Sequence, residues 1–213
     1  MKKCFLPCFV QGNTSAKAAS EPVTTEKIKD IGLQRMTVAG RDTPVATAGG
    51  SIPAGDLWKD QPAIVFVVRR PGCALCREHA QDLSNKQPDF AAKGVKLVGV
   101  VHEKLGVEEF SGFFKNGEIY FDEEKAFFNA LGMRWEGLSS LMKPSVISNA
   151  KRASAKGVKG NLKGEGRLLG GLLVVGSGDS GIAFEHREAV FGDHASMDAI
   201  MAAVDTVVPK PSG

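Results

Sequence analysis

A short apolar run followed by a tight turn and two cysteines constrains the fold of this chain more than any other stretch. Residues 64–68 read Ile-Val-Phe-Val-Val, which is typical of a strand buried on both faces. The turn at residues 69–72 contains Pro-Gly, and apolar or small residues then recur at i, i+4 and i+7 from Cys76, the spacing of one helix face. The pattern predicts a strand, a turn and a helix that begins at or near Cys73.

The position of Cys73 at a helix start predicts a reactive thiolate. Unpaired N–H groups and the positive end of the helix dipole stabilise a thiolate over a thiol, and Arg69, Arg70 and Arg77 add positive charge nearby. A cysteine in such a C-x-x-C setting typically has its pKa lowered from about 8.5 to about 3.5–7.5. Cys76 lies one helical turn further on, close enough to close a small disulfide. We therefore predict that the Cys73 thiolate attacks an oxidised substrate and that Cys76 then displaces the product and forms a disulfide with Cys73.

Three other interpretations of the C-x-x-C pair compete with redox chemistry. Half of a zinc site would need two more ligands at regular spacing, whereas His102, His186 and His194 are scattered. Attached c-type haem requires a His directly after the second Cys, and Arg77 stands there instead. Two buried structural thiols fit poorly beside three arginines and a Pro-Gly turn. Zinc and structural thiols remain open alternatives, and redox chemistry is favoured.

Several separate blocks of sequence, in a fixed order, carry a family resemblance. They are Val67-Val68-Arg69-Arg70-Pro71-Gly72-Cys73-x-Leu75-Cys76-Arg77-Glu78, Asn161-Leu162-x-Gly164-Glu165-Gly166, Gly170-Gly171, Val174-Val175-Gly176-Ser177-Gly178, Gly181-Ile182, Glu185-His186-Arg187-Glu188 and Phe191-Gly192-Asp193. Together they resemble the peroxiredoxin-like 2 family, which belongs to the thioredoxin-like superfamily and is related to the AhpC/TSA enzymes. The resemblance covers roughly Leu33 to Val207.

The resemblance implies a thioredoxin-like fold and an antioxidant, redox-regulatory role. A near relative is described as a prostaglandin-endoperoxide reductase that uses thioredoxin and NADPH. The chain departs from thioredoxins proper, which usually carry a Pro before the strand beside the C-x-x-C helix, because Gly170-Gly171 stands there. It also lacks the Thr of the P-x-x-x-T-x-x-C pattern of peroxiredoxins proper. These departures leave the docking of substrate and the speed of peroxide reduction open.

The fold class predicted is α/β, a thioredoxin-like fold with a central mixed sheet flanked by helices. A second apolar strand at residues 95–101 follows the cysteine helix, and the resulting β-α-β unit requires a right-handed crossover and parallel strands. A length of 213 residues suits one substantial domain. We expect a flexible tail at residues 1–27, the thioredoxin-like domain at 28–208 and a short tail at 209–213.

Composition and cysteine usage indicate the compartment. A net charge of +3 does not suggest binding to nucleic acid, and no run reaches the roughly 20 apolar residues of a membrane span. The four cysteines occur in two close pairs, which indicates a reducing, cytoplasmic setting rather than a disulfide scaffold. Cys4 and Cys8, beside Lys2 and Lys3, could take palmitoyl chains and contact a membrane. A tail with two incidental thiols is favoured over acylation.

Two further features attract attention. Residues 143–167 contain seven basic residues and one acidic residue, a local charge of +6, which could attract an anionic substrate or an acidic partner. A solvated insertion is an equally good interpretation of this segment.

His102 follows the second buried strand, where α/β sheets place their active sites, so it is a candidate proton carrier. A histidine in this position more commonly caps a loop.

We therefore predict a thiol-disulfide redox protein that reduces peroxides or endoperoxides through Cys73 and Cys76. No bound cofactor and no metal ligands are predicted. An external reductant, thioredoxin or glutathione, would restore the dithiol, and NADPH would act indirectly through thioredoxin reductase. The partners would be that reductant and a small peroxide, an endoperoxide or an oxidised protein. The alternative is a redox-sensing regulatory module that binds a partner without catalytic turnover.

Overall fold

Seven strands form one mixed sheet at the centre of the molecule, and helices cover both of its faces. The computed structural model describes residues 21–38 and 46–208, so Cys4 and Cys8, whether incidental thiols or acylated, and the tail at 209–213 lie outside the described residues. The strands are β1 (Gly32–Thr37), β2 (Ala46–Pro53), β3 (Ala63–Val68), β4 (Lys96–Val101), β5 (Glu118–Phe121), β6 (Gly171–Val175) and β7 (Ile182–Arg187). The helices are α1 (Thr25–Ile28), α2 (Ala74–Ala92), α3 (Val107–Ser111), α4 (Ala126–Ala130), α5 (Pro144–Ala155) and α6 (Met197–Val207), with 3₁₀ turns at Ala54–Leu57 and Leu138–Met142.

The strand order is β2-β1-β5-β4-β3-β6-β7. β4 runs parallel to both β3 and β5, whereas β6 is antiparallel to β3 and β7 is antiparallel to β6. The other half of the sheet is also antiparallel, with β1 between β5 and β2. The predicted α/β class with a central mixed sheet flanked by helices is confirmed.

β3 is buried on both faces, as its apolar run predicts. Ile64, Phe66 and Val68 point into a core formed mainly with α2, α5 and α6. Val65 and Val67 point to the opposite face, into a core formed mainly with α1 and α4. Because consecutive side chains of a strand alternate between faces, a strand covered on both sides must be apolar at every position.

The cysteine helix α2 begins at Ala74, with Cys73 as its N-cap residue in an extended conformation (φ −78°, ψ 130°). The sequence predicts a pause at Pro88, but the helix runs through this residue to Ala92. A proline removes one hydrogen bond of the helix, and the fully buried Phe90 holds the turn that follows against the core. The sequence also predicts that the helix ends near Gly94, a typical C′ residue after Lys93. This is confirmed, because the helix ends at Ala92 with Lys93 as its C-cap, and Gly94 has a φ of +70°, a conformation that favours glycine.

Shorter elements also follow their sequence signals. Residues 176–181 spell G-x-G-x-x-G but close the β6–β7 hairpin, with Gly176 N–H donating to the Gly181 carbonyl at 2.9 Å. Ser196 caps α6 by accepting a hydrogen bond from Ala199 N–H at 3.3 Å.

At the start of the described chain, α1 begins at Thr25 and Val23 is buried. Most of α1 therefore lies before residue 28, the expected start of the domain.

The segment between β5 and β6 carries α5, which packs across the N-terminal half of α2. Val146 and Ala153 of α5 are buried in the same core as Leu75 and Cys76. The segment is therefore a packed part of the domain that covers the cysteine helix.

In the ranges that the structure describes, no helix is long and apolar enough to cross a membrane.

Candidate functional site

Cys73 lies at the start of α2, after the turn that follows β3, and the residue is only 5% exposed. The guanidinium of Arg69 donates a hydrogen bond to its sulfur from Nη2. The hydrogen bond from Cys76 holds the pKa of Cys73 well below the ordinary value, and the charges of Arg69 and Arg70 add to this effect against the cost of burial. The local geometry thus stabilises a thiolate at Cys73.

Cys76 is the more deeply buried of the two cysteines, with 1% of its surface exposed. Its hydrogen bond to Cys73, its burial and the negative charge of Cys73 together raise the pKa of Cys76 well above the ordinary value. The two thiols are free in this structure. They therefore form an unequal pair, in which one sulfur holds negative charge and the other holds a proton.

Three arginines connect the cysteine turn to residues 159–166, which we call the strap. Arg69 donates to the carbonyl of Gly166, and the other two donate to strap carbonyls at 2.7–2.9 Å, namely Arg70 to Asn161 and Lys163 and Arg77 to Lys159. Asn161 N–H returns a hydrogen bond to the Gly72 carbonyl at 2.7 Å. These bonds hold the strap directly over the N-terminus of α2.

The three arginines differ in what they contribute to Cys73. Arg69 contacts the sulfur, and Arg70 acts on its pKa through charge. Arg77 also donates to the carbonyl of Pro71 and forms an ion pair with Glu109 at 2.7 Å, so its charge is balanced locally. The predicted cluster of supporting arginines is brought together, with Arg69 nearest to the chemistry.

Much of the positive charge of residues 143–167 is paired with carboxylates of the domain. Four of its seven basic residues form ion pairs, namely Lys143 with Glu136, Arg152 with Glu78, Lys156 with Glu78 and Asp82, and Arg167 with Glu165. The two pairs on Glu78 join α5 to α2. The segment therefore uses charge to hold the domain together, which reduces the field that it presents to an incoming anion.

A cavity of about 860 Å³ opens beside Cys73. Its walls include Leu75 and Phe191 from the core side and Leu141 and Leu162 from the segment that carries the strap. Leu162 is 91% exposed. The lining of the cavity is therefore largely apolar, and its charged part is Arg69, Arg70, Glu165 and Arg167.

The histidines occupy two places around the site. His102 is buried, and its Nε2 lies 2.9 Å from the carbonyl oxygen of Arg69, so it contacts the backbone of the cysteine turn. His79 of α2 lies edge-on to His194, with ring centroids 4.3 Å apart. Burial lowers the pKa of His79 well below the ordinary value and that of His194 to about 3, and the charge of Arg152 adds to the effect on both.

Within residues 21–38 and 46–208, no three His, Cys, Asp or Glu side chains are grouped to hold a metal ion.

One acidic residue near the cysteines received no role from the sequence. Glu188 follows β7 directly and is 5% exposed. Burial raises the pKa of Glu188, negative charge on Cys73 adds to this effect, and the charge of Glu188 in turn raises the pKa of Cys76. In the sequence it ends the block Glu185-His186-Arg187-Glu188, and nothing in the spacing of this block separates a buried glutamate from an exposed one. Only the pairing of β7 with β6 brings Glu188 to the end of β3.

Known proteins match both the sequence and the fold. A family model described as AhpC/TSA antioxidant enzyme matches residues 82–190, a range that begins after Cys76. Peroxiredoxin-like 2A of Homo sapiens is 41% identical over 187 residues, which cover 87% of this chain and 77% of the relative. Peroxiredoxin-like 2A of Danio rerio is 41% identical over 191 residues, which cover 89% and 85%.

Solved structures with low sequence identity share the fold. The bacterioferritin comigratory protein of Xanthomonas campestris, described for its alkyl peroxide reduction activity, has a TM-score of 0.56 at 13% identity, covering 86% of this chain and 96% of that one. Peroxidoxin BcpB from Mycobacterium tuberculosis has a TM-score of 0.51 at 14% identity, covering 75% and 88%. The sequence relatives and the family model support a peroxiredoxin-like, thiol-dependent redox role. The chain belongs to the peroxiredoxin-like 2 family of the thioredoxin-like superfamily.

Proposed function

We propose that this protein is a thiol-disulfide oxidoreductase that reduces peroxides or endoperoxides through Cys73 and Cys76. The observation that carries the proposal is the unequal pair of buried thiols, in which Cys73 accepts hydrogen bonds from Arg69 and Cys76 at a helix N-terminus. A thiolate is the nucleophilic form of cysteine. Cys73 is accordingly the attacking residue, and Cys76 is the resolving residue.

The proposed cycle has three steps. The Cys73 thiolate attacks one oxygen of the O–O bond, and the other oxygen leaves and is protonated to an alcohol or water. With hydrogen peroxide or a hydroperoxide, Cys73 becomes a sulfenic acid, whereas with an endoperoxide it becomes a sulfenate ester of the opened ring. Cys76 then loses its proton and attacks the Cys73 sulfur, which displaces water from the sulfenic acid or the second alcohol from the ester and forms the Cys73–Cys76 disulfide. A dithiol reductant such as thioredoxin, or two molecules of glutathione, reduces this disulfide by thiol-disulfide exchange. In a reducing cytoplasmic compartment, NADPH would drive the cycle through thioredoxin reductase.

The cavity beside Cys73 favours a substrate larger than hydrogen peroxide. Its volume of about 860 Å³ falls within the range of small-molecule sites. Leu75, Leu141, Leu162 and Phe191 provide apolar walls, which would bury a hydrocarbon group next to the reacting sulfur. An organic peroxide or an endoperoxide suits these walls better than a small polar oxidant.

The proposal is tested by coupled turnover. Wild-type protein is mixed with thioredoxin, thioredoxin reductase, NADPH and either hydrogen peroxide or cumene hydroperoxide, and NADPH oxidation is followed. We expect steady turnover that is faster with cumene hydroperoxide, complete loss in Cys73→Ser and loss of thioredoxin-dependent turnover in Cys76→Ser. Cys4→Ser with Cys8→Ser is the matched control and should retain full activity. Wild-type protein that consumes neither peroxide would contradict the proposal.

A second candidate function is a redox-sensing module without turnover. The deep burial of both cysteines under the strap favours it, as does the exposure of Leu141, Met142 and Leu162 (49%, 76% and 91%) beside the site. A sensor would form the Cys73–Cys76 disulfide reversibly in graded thiol buffers and yet show no NADPH-coupled peroxide consumption. The two assays together therefore separate an enzyme from a sensor.

A further inference from the structure

Exposed apolar side chains are concentrated around the cavity beside Cys73. Among the residues that the structure describes, six large apolar side chains are exposed, and five of them lie between residues 135 and 162, namely Trp135, Leu141, Met142, Ile147 and Leu162. Leu141 and Leu162 also line the cavity, so they lie where it opens to solvent. Single exposed apolar residues are normal on a protein surface, whereas a cluster of them marks an interaction site.

Four of these side chains belong to one continuous surface. Leu141 and Leu162 line the cavity together with Arg167. The guanidinium of Arg167 lies over the ring of Trp135, 5.6 Å from its centroid, and Met142 follows Leu141 at the end of a 3₁₀ turn. We use the name docking face for the surface formed by Trp135, Leu141, Met142, Leu162 and the strap lysines Lys159 and Lys163.

Leu162 is presented to solvent by an ordered backbone. The carbonyls of its two neighbours, Asn161 and Lys163, accept hydrogen bonds from the guanidinium of Arg70 at 2.7 and 2.9 Å. Lys163 N–H also donates to the side chain of Asn161 at 3.0 Å. The backbone is therefore fixed on both sides of Leu162, while the side chain itself is 91% exposed. Burial of this side chain against a binding partner would cost little backbone entropy.

The docking face is positively charged. Residues 135–167 contain seven basic and two acidic residues, a net charge of +5. The two acidic residues, Glu136 and Glu165, are each paired with a basic residue. Lys151, Lys159 and Lys163 are exposed, and they form no ion pair with any residue in the described part of the chain. Two of these three lysines lie on the strap, on either side of Leu162.

This combination of side chains matches the surface of a bilayer that contains anionic lipids. Aliphatic side chains enter the region between headgroups and acyl chains, and tryptophan is enriched at that depth. Lysines beside them attract anionic headgroups. The docking face supplies all three, because Leu162 and Met142 protrude (91% and 76% exposed), Trp135 is half exposed, and the strap lysines flank Leu162.

We propose that the docking face binds the surface of an anionic membrane. Leu141, Met142 and Leu162 insert among the lipids, and Lys159 and Lys163 contact the headgroups. In this orientation, the cavity beside Cys73 opens towards the bilayer. The attachment does not depend on the proposed redox chemistry, so a Cys73→Ser variant should bind membranes as wild type does, and failure of either proposal leaves the other in place.

Sedimentation with sucrose-loaded vesicles tests the proposal on the full chain. The vesicles consist of phosphatidylcholine alone or of phosphatidylcholine with about 30% phosphatidylserine, an anionic lipid. At about 0.1 M salt, we expect binding to the mixed vesicles that is at least about tenfold tighter than binding to phosphatidylcholine alone. At about 1 M salt, this preference should disappear, because the charges are then screened. Absence of binding to the mixed vesicles would overturn the proposal and leave a protein as the occupant of the docking face.

Leu162→Ser tests the insertion of the apolar side chain. We expect binding to the mixed vesicles to weaken about tenfold, because burial of an exposed leucine in lipid is favourable. Leu162→Met keeps an apolar side chain of similar size and should bind as wild type does. Because the side chain of Leu162 is almost fully exposed, neither substitution should disturb the fold.

Lys159→Gln combined with Lys163→Gln tests the charge. Each lysine close to an anionic membrane contributes a factor of about five to binding, so the double variant should bind about twentyfold more weakly. Lys59→Gln combined with Lys115→Gln is the matched control. These exposed lysines precede β3 and β5, at the end of the sheet opposite to the cysteine turn, and their loss should change binding much less. Equal binding of wild type, Leu162→Ser and the strap double variant would place the membrane contact elsewhere in the chain and overturn the proposal.

Tryptophan fluorescence identifies the surface that contacts the lipid. The chain has two tryptophans, of which Trp58 is buried and Trp135 lies on the docking face. Addition of mixed vesicles should shift the emission of wild type to shorter wavelength and reduce its quenching by acrylamide. Trp135→Phe should remove both changes and still sediment with the vesicles. An emission that does not change while wild-type protein sediments would show that another surface is bound, which would overturn the proposal.

Discussion

Arg152 of α5 donates to both carboxylate oxygens of Glu78 in α2, at 2.7 and 3.1 Å. Glu78 is fully buried, whereas the side chain of Arg152 is 42% exposed. The same guanidinium also donates to the carbonyl of Gly192 at 3.1 Å. One side chain therefore connects α5 and the loop that follows β7 to the helix that begins with Cys73.

Replacement of Arg152 by Met should lower the free energy of unfolding by about 2 kcal/mol, because a buried carboxylate loses two charge-assisted hydrogen bonds. Lys156→Met is the matched control. Lys156 reaches the same carboxylate at 3.1 Å, but its removal leaves both Arg152 bonds in place, so we expect a smaller loss. Chemical denaturation of the two variants at pH 7 provides the measurement. Equal losses would show that Glu78 does not depend on Arg152 in particular.

The stability of the domain should decrease in mild acid because of His194. Its pKa is about 3 in the folded chain and about 6.5 in an unfolded one, so the unfolded state binds one more proton between these values. The free energy of unfolding is therefore not reduced by His194 above pH 6.5, and it falls progressively as the pH decreases towards 3. From pH 6.5 to 5, wild type should lose about 1 to 2 kcal/mol more than His194→Gln.

The comparison between these two proteins removes the effects of acidic groups away from His194. Glu188 acts in the opposite direction, because its raised pKa of about 7 makes the folded state bind the extra proton between about 4.5 and 7. This contribution is present in both proteins and cancels in the difference, whereas His79 contacts His194, so the difference includes any change at His79. Parallel stability curves for wild type and His194→Gln would contradict the predicted protonation of the unfolded state.

Local sequence patterns predicted most elements of the fold but only part of the site. The apolar run of β3 and the helical spacing after Cys73 are local signals, and each led to the correct element. The ion pair between buried Glu78 and Arg152 joins residues 74 positions apart, so the sequence did not show that part of the +6 charge of residues 143–167 is paired. Glu188 became part of the site only through the pairing of β6 with β7. Such long-range contacts have no periodic signal in one sequence.

Arg69 should be the main external determinant of the reactivity of Cys73. Arg69→Met removes both the hydrogen bond to the sulfur and the nearest positive charge, so we expect the pKa of Cys73 to rise by about one unit or more. Arg69→Lys keeps the charge without the planar guanidinium and should give a smaller rise. The pH dependence of alkylation by iodoacetamide, with peptide mass mapping of Cys73, measures the pKa.

Arg77→Met is the control for this series. Arg77 is buried beside the same turn, but its guanidinium pairs with Glu109 and with backbone carbonyls. We therefore expect the pKa of Cys73 to change much less in Arg77→Met than in Arg69→Met. If the two substitutions raised the pKa equally, the effect of Arg69 would come from general charge around the turn and not from its contact with the sulfur.

The close approach of the strap to α2 should control access to Cys73. A Cβ added at Gly160 would lie 2.3 Å from the nitrogen of Ala74 and 2.8 Å from the carbonyl oxygen of Gly72. Both neighbours are backbone atoms and cannot turn away, so Gly160→Ala must push the strap off the cysteine turn. We expect a stability loss of about 1–3 kcal/mol, as for other overpacked sites, and faster alkylation of Cys73 at a fixed pH. Gly137→Ala is the control, because its added Cβ would meet only Ser139 Oγ at 3.5 Å. An alkylation rate that stays at the wild-type value in Gly160→Ala, despite the loss of stability, would mean that reagents reach Cys73 by a route that the strap does not cover.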